Sequence, residues 1–149
     1  MKRDREPIAQ GVAVHYQPQR HLLKDRIILV TGASDGIGRE AALTYARYSA
    51  SVILLGRNDD KLRTVAQEIE REGGIPPRWF TLDLLTCTPQ ACQQLAQQIS
   101  MHYPRLDGVL HNAGLLGDIC PMEEQKPEVW QQVMQVNVNG TFMLTQALL

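Results

Sequence analysis

The stretch from residue 27 to residue 41 constrains the fold most, because it joins a strand, a glycine-rich turn and a helix. An apolar run over 27–30 stops at Thr31 and Gly32, and an amphipathic run begins around Gly36 and Gly38. Such a turn directs backbone N–H groups and the positive end of a helix toward an anion. A side chain at Gly32 or Gly36 would obstruct the turn or a pyrophosphate. We interpret the stretch as a phosphate cradle for a dinucleotide.

Two glycine registers fit this stretch. Residues 36–41 match the pattern G-x-G-x-x-A, and residues 31–38 match T-G-x-x-x-G-x-G. The second register is preferred, because it places its first glycine directly after the strand, where the turn must begin. A strand-to-helix turn that binds no ligand is the alternative reading of the stretch taken by itself.

The composition excludes several classes of protein. The chain has 149 residues, of which 44% are hydrophobic and 21% charged, and its formal net charge is −1. This describes one ordinary domain and gives no support for a nucleic-acid or membrane-surface role. No apolar run approaches the ~20 residues that span a bilayer, and no secretory signal is visible. Cys87, Cys92 and Cys120 are odd in number and match no zinc spacing, so we predict free thiols in a cytoplasmic protein. The four histidines are scattered along the sequence, so we predict no metal site.

Strands and helices alternate along the sequence. Strands are predicted at 27–30, 52–56, 78–82 and 107–111. Helices are predicted after Gly36, after an N-cap at Asn58 or Asp59, from Pro89, and from about Glu128 to the end. The second of these helices has a predicted apolar face formed by Leu62, Val65, Ala66 and Ile69. This order predicts an α/β fold with a doubly wound parallel sheet. The domain is expected to cover residues 25–149, behind a loose polar tail over residues 1–24.

The residue types at the strand ends indicate a cofactor. NAD-binding folds commonly place a carboxylate for the ribose 2′-OH after the second strand, whereas here Gly56 is followed by Arg57. An arginine can bind a 2′-phosphate with two hydrogen bonds, which favours NADP(H) over NAD(H). A solvated surface charge is the alternative for Arg57. Asp35 adds a negative charge to the cradle, and its expected role is local, at the start of the helix.

Three further polar residues have two readings each. Asp83 could accept a hydrogen bond from an adenine amino group or cap the turn before Leu84. Asn112 begins a run of small residues suited to close ligand approach, and it could also tie two strands together. Asn137 lies on an apolar helical seam, where an amide needs hydrogen-bond partners. Spacing by itself favours a structural pin for Asn137 over an active-site role.

Three motifs resemble those of the short-chain dehydrogenase/reductase family. Residues 31–38 are similar to its cofactor turn, His111–Gly114 to its N-N-A-G motif with His in the first position, and residues 136–140 to the stretch carrying its active-site asparagine. The resemblance covers about residues 25–149 and points to a bacterial-type oxidoreductase. It implies a Rossmann-like sheet with strand order 3-2-1-4, a nicotinamide dinucleotide, and hydride transfer between carbonyl and alcohol substrates.

The resemblance also assigns roles to residues. It implies that the glycine turn holds the pyrophosphate, with Asp35 among the cofactor-binding residues of the turn. It also implies that Arg57 marks a preference for NADP and that Asn137 supports a proton-relay water. By the same resemblance the turn uses Gly32, Ser34, Gly36, Ile37 and Gly38, the adenine pocket uses Asp83 and Leu84, and the ribose side uses Asn112, Ala113 and Gly114.

The sequence departs from the family in one respect. It contains no Tyr-x-x-x-Lys and continues for only twelve residues after Asn137. The resemblance assigns proton transfer to that tyrosine, so this polypeptide alone is expected to be inactive, with a sheet that is incomplete at its C-terminal side. The alternatives are a non-catalytic dinucleotide-binding or interaction module, which could pair with a second copy through the last helix, and a truncated product that folds poorly.

Overall fold

The computed structural model describes residues 18–149, and they form a four-stranded parallel sheet with helices on both faces. The elements in chain order are β1 (Ile27–Thr31), α1 (Gly36–Arg47), β2 (Ser51–Gly56), α2 (Asp59–Arg71), β3 (Arg78–Thr81), α3 (Pro89–Ser100), β4 (Gly108–Leu110), α4 (Pro127–Met134) and α5 (Thr141–Leu148). The strand order is β3-β2-β1-β4 and every pair is parallel, which confirms the predicted Rossmann-like topology.

The central strands are apolar on both faces because both faces are covered. Val30 and Leu54 pack with the buried side chains of α1 and α2. Leu29 and Ile53 point the other way, toward the buried side chains of α3 and α5. The strict alternation follows from the two-residue period of a strand. The two-sided core holds the carboxyl ends of the strands together at one edge of the sheet.

Side-chain caps fix where three helices begin. Asp35 accepts a hydrogen bond from the N–H of the next residue, Gly36, at the start of α1. Asn58 and Thr88 cap α2 and α3 by accepting from N–H groups three residues further on, those of Lys61 and Ala91. Of the two predicted N-cap candidates, Asn58 is the cap and Asp59 is the first residue of the helix. The predicted apolar face of α2 is confirmed as well, since its four members are buried: Leu62, Val65, Ala66 and Ile69.

The predicted long last helix is present over residues 127–148, but it is not a regular α-helix throughout. A π-helical turn, Gln135–Gly140, separates α4 from α5. Gln135 Nε2 donates to the Leu84 carbonyl oxygen at 3.2 Å, and a Cβ on Gly140 would lie 2.9 Å from the same oxygen. Residues five apart on an α-helix point about 140° away from each other. The wider turn lets Gln135 and Gly140 face Leu84 together.

The predicted N-terminal tail lies mostly outside the described residues, since the description begins at residue 18. Within the described part, the Leu23 N–H donates to the Tyr48 carbonyl at 3.0 Å, and Leu23 packs against the core beside α1. His21 Nδ1 lies 2.6 Å from Ser49 Oγ. Residues just before the predicted domain start at residue 25 therefore contact the domain.

Three further observations apply to residues 18–149. None of their helices has the length and apolarity needed to cross a bilayer. No cluster of three His, Cys, Asp or Glu side chains could hold a metal ion there. Cys87, Cys92 and Cys120 are free thiols.

Candidate nucleotide-binding site

A cleft of about 550 Å³ opens at the carboxyl ends of the strands. Doubly wound sheets bind ligands at this edge. The cleft brings together sequence-predicted residues that follow all four strands: Gly32, Ser34, Asp35, Arg57, Asp83, Leu84, Asn112, Ala113 and Gly114. Thr31, Asn58 and Lys61 line the same cleft. Gly36, Ile37, Gly38 and Asn137 do not line it, so their predicted contact with a ligand is not evident from the cleft itself.

The glycine turn is shaped by two different requirements. Gly32 and Gly36 have φ angles of +65° and +52°, in the left-handed region that favours glycine. Gly38 needs space instead, because a Cβ there would clash with the Gly32 carbonyl oxygen and with Asn112 Nδ2. The start of α1 consequently packs directly on the turn. Ile37 is 80% exposed on the outer side of α1.

Asp35 is engaged locally. Its Oδ1 accepts from the Gly36 N–H at 2.9 Å, and its Oδ2 lies 2.8 Å from Lys61 Nζ. The Lys61 hydrogen bond and then the Gly36 N–H hold the pKa of the Asp35 carboxyl below its usual value. The predicted local role at the helix start is therefore present. Sequence reasoning missed Lys61, since no local signal indicates that a lysine of α2 reaches the turn before α1.

Arg57 lies on the open side of the cleft. It is exposed directly after β2, and no carboxylate in residues 18–149 forms a salt bridge with it. A Cβ on Gly56 would meet Leu62 Cδ2 at 3.3 Å, so the end of β2 packs closely against α2. An anion that binds to the Arg57 guanidinium would break no ion pair within the described chain.

Asp83 adopts the turn-capping arrangement. Its Oδ1 accepts from the Leu85 N–H at 3.0 Å. Asp83 also lines the cleft, so the cap leaves the proposed adenine contact open. The neighbouring Leu84 is only 6% exposed and belongs to the core on the α3 side. Leu84 therefore offers the cleft only a small apolar surface.

The Thr31 hydroxyl joins the glycine turn to the segment after β4. Thr31 is 2% exposed, and its Oγ1 accepts from the N–H groups of Asn112 and Ala113, each at 3.0 Å. The hydroxyl donates to the Leu110 carbonyl at 3.3 Å. Asn112 Nδ2 adds a bond to the Thr31 carbonyl at 3.2 Å. The strand-tying reading of Asn112 is thus observed, and Thr31 is a positioning residue whose role the sequence did not reveal.

Asn137 is exposed, which contradicts its expected burial on an apolar seam. Its Oδ1 accepts from the Leu115 N–H at 2.8 Å, and its Nδ2 donates to the Leu115 carbonyl at 2.9 Å. The side chain therefore pins the loop after β4 to the π-helical turn. The pin is the structural reading, and the catalytic role of Asn137 stays a prediction.

His111 ties the end of β4 to α5. Its Nε2 lies 3.0 Å from Thr145 Oγ1, and the Thr145 hydroxyl donates to the Thr141 carbonyl at 2.8 Å. With the hydroxyl proton directed at Thr141, the arrangement matches the His111 tautomer that carries its proton on Nε2. Burial lowers the pKa of His111, which favours the neutral ring.

The strand order, the glycine turn and the cleft beside the point where the strand order reverses define a Rossmann-like domain. The chain belongs to the short chain dehydrogenase family, whose family model matches residues 26–149. It is 76% identical over 136 residues to the oxidoreductase YciK of Escherichia coli strain K12, covering 91% of this chain and 54% of that protein.

Solved structures show the same relationship. The crystal structure of yciK from E. coli superposes with a TM-score of 0.89 at 76% identity, over 91% of this chain and 55% of that one. A short chain dehydrogenase from E. coli CFT073, solved in complex with NADPH, has a TM-score of 0.86 at 76% identity, over 88% of this chain and 55% of that one. The chain spans about half the length of the curated relatives it matches.

Proposed function

We propose that this chain holds NADP(H) in its cleft and forms the cofactor-binding part of an oxidoreductase acting on small carbonyl or alcohol substrates. The fit of Gly38 against Gly32 carries the proposal, because any side chain at Gly38 would push α1 off the turn. That packing leaves the first N–H groups of α1 beside the turn, where they can face a diphosphate. The nicotinamide would supply the hydride, and the residues of the chain would bind and orient the cofactor.

The preference for the phosphorylated cofactor is supported by two observations. Arg57 is exposed at the end of β2, where a carboxylate would repel a 2′-phosphate. A relative at 76% identity has been solved with NADPH. NAD(H) is the weaker candidate, because the described cleft offers no free carboxylate after β2 for the ribose 2′-OH.

Calorimetric titration of the 149-residue chain with NADPH and NADH tests the proposal. We expect NADPH to bind more tightly than NADH and to raise the unfolding midpoint further as its concentration rises above its Kd. A cooperatively unfolding chain that gives no heat and no thermal shift with either nucleotide would refute cofactor binding. Gly38→Ala should weaken binding of both nucleotides, because its Cβ would push α1 off the glycine turn. Gly108→Ala is the matched control, since a Cβ on Gly108 meets nothing closer than 3.9 Å.

Arg57→Ala tests the cofactor preference. A charge-assisted hydrogen bond is worth about 1.5–3 kcal/mol, so NADPH affinity should fall at least about tenfold. NADH affinity should change less than about twofold, because NADH lacks the phosphate. Arg71→Ala, at the far end of α2, is the control. Equal losses for both nucleotides would remove the argument for NADP(H).

Catalysis requires a proton donor that the 149 residues do not present in the family's form, since they contain no Tyr-x-x-x-Lys. Asn137 bonds to the Leu115 backbone through Oδ1 and Nδ2, and in this way it positions the loop beside the cleft. We therefore expect the 149-residue polypeptide to bind NADPH without oxidising it in the presence of aldehydes or ketones. NADPH oxidation well above a no-protein blank would contradict this expectation.

A non-catalytic interaction module is the second candidate, and exposed apolar side chains on the last helical segments favour it. Trp130, Val138 and Phe142 are 54%, 47% and 62% exposed. A homo-oligomer formed through this helix would cover them. Sedimentation that shows a stable monomer at micromolar concentration would exclude this association. Non-cooperative thermal unfolding would instead support a chain that folds poorly.

A further inference from the structure

The corner of the cleft after β2 carries a charge arrangement that the cofactor preference does not explain by itself. Asp35 and Lys61 both line it, beside Arg57. A carboxylate in this position should oppose a phosphorylated nucleotide, because like charges in one site repel. The structure places the Lys61 ammonium 2.8 Å from that carboxylate. The pair is therefore a built-in neutralisation of the only acidic residue in the glycine turn.

The local fold fixes where Lys61 stands. Asn58 caps α2 and accepts from the Lys61 N–H at 2.9 Å, which sets Lys61 in the first turn of the helix. From there its side chain crosses to the turn before α1. Asp35 in turn caps α1. The ion pair consequently bridges the starts of two helices, at the side of the cleft where Arg57 is exposed.

Neighbouring acidic residues do not compete for Lys61. Asp59 accepts from Arg63 at 2.6 Å and from Trp79 Nε1 at 2.9 Å, and Asp60 lies 3.7 Å from Arg63. With Lys61 present, the corner formed by Asp35, Arg57 and Lys61 carries one net positive charge. Without Lys61 its charge would be zero, and the carboxylate would face the incoming phosphate alone.

Building on the proposed function, we propose that Lys61 determines cofactor specificity by neutralising Asp35, so that the corner accepts the 2′-phosphate that Arg57 binds. We expect the effect to be specific to NADPH, because both nucleotides carry the same diphosphate charges and only NADPH brings a 2′-phosphate to this corner. One unit charge beside a doubly charged phosphate in a water-exposed site is worth about five- to tenfold in affinity.

A double-mutant cycle tests the inference. Lys61→Gln should weaken NADPH binding about five- to tenfold and NADH binding less than about twofold. Asp35→Asn keeps a residue that caps helices equally well. Adding it to Lys61→Gln should restore NADPH affinity to within about twofold of wild type, because no carboxylate then needs neutralising. Lys126→Gln, an exposed lysine before α4, is the matched control.

Two further Lys61 variants and a salt titration serve as controls for the Lys61→Gln binding experiment. Lys61→Arg should keep the NADPH preference, and Lys61→Met replaces Lys61→Gln if that variant unfolds. Raising the salt concentration should shrink the effect of Lys61→Gln, since exposed charges are screened. The inference is overturned if Lys61→Gln weakens both nucleotides equally, or if Asp35→Asn fails to rescue it. A wild-type chain that binds neither nucleotide refutes the proposed function itself, whereas a Lys61→Gln chain that keeps the wild-type affinity for NADPH refutes only this inference.

Discussion

Replacing Thr31 with valine removes one hydroxyl that holds two segments of the cleft together. Valine keeps nearly the shape of threonine, so the substitution creates little cavity. It takes away the acceptor of the Asn112 and Ala113 N–H groups and the donor to the Leu110 carbonyl. These three groups all belong to the end of β4 and the segment that follows it. The change therefore tests whether this hydroxyl couples β1 to that segment.

The expected cost follows from those bonds. A buried donor or acceptor left without a partner costs about 1–3 kcal/mol. Thr31 is 2% exposed, whereas Asn112 and Ala113 are half-buried, so water can recover part of the loss. We expect Thr31→Val to lower the free energy of unfolding by about 2–4 kcal/mol. For a chain near 150 residues, this lowers the unfolding midpoint by about 4–16 °C.

Thermal and urea unfolding, followed by circular dichroism, measure the effect. Thr31→Ser keeps the hydroxyl and loses one methyl group, which costs about 1 kcal/mol. Thr64→Val removes one exposed bond to the Asp60 carbonyl and should change stability by less than about 0.5 kcal/mol. If Thr31→Val is no less stable than Thr31→Ser, the hydroxyl does not hold the two segments together. Weaker NADPH binding by the valine variant would extend the coupling to the cleft.

Three other predictions follow from single side chains. Asn137→Ala should lower the free energy of unfolding in urea by about 1–2 kcal/mol, because it removes two hydrogen bonds to the Leu115 backbone. Asn139→Ala is the control and should be nearly neutral, because it removes one exposed hydrogen bond. The hydrogen bond from the Ile27 N–H and then that from Arg105 lower the pKa of Asp107. The ionised carboxylate therefore stabilises the fold above about pH 4, and this stabilisation is lost as the pH falls below that value. In Asp107→Asn, the urea midpoint should fall less steeply than in wild type as the pH is lowered. Burial raises the pKa of Cys92 to about 11, so its thiol should be the slowest to alkylate in the folded chain at pH 8, as mapped by mass spectrometry.

Features that depend on neighbouring residues or on the order of the elements could be predicted from the sequence. The apolar period of α2 and its cap Asn58 were correct because both signals lie within one element. The parallel order and the meeting of four strand ends at one cleft were correct because alternating strands and helices allow few topologies. The strand limits were less accurate, since β4 spans only Gly108–Leu110 instead of 107–111.

Contacts between distant segments could not be predicted in the same way. Lys61 meets Asp35 across 26 positions, and Thr31 meets Ala113 across 82. Nothing near Lys61 in the sequence distinguishes it from any charged residue on an exposed helix face. Its role becomes visible only when the starts of α1 and α2 are side by side, which is a consequence of β1 pairing with β2.

The π-helical turn shows how one distant contact changes a whole helix face. On a regular α-helix, Val133 and Leu144 are eleven residues apart and share a face to within about 20°. In the structure Val133 contacts the loop at Gly117, where a Cβ would stand 2.8 Å from Val133 Cγ2, whereas Leu144 is fully buried in the core beside α3. The π-helical turn lies between them, and its two end residues, Gln135 and Gly140, both contact Leu84. Leu84 lies 51 positions before Gln135 in the sequence. Because the turn changes the phase of the helix, Asn137 faces the Leu115 backbone instead of the core, and the seam that the sequence indicated becomes two separate contact surfaces.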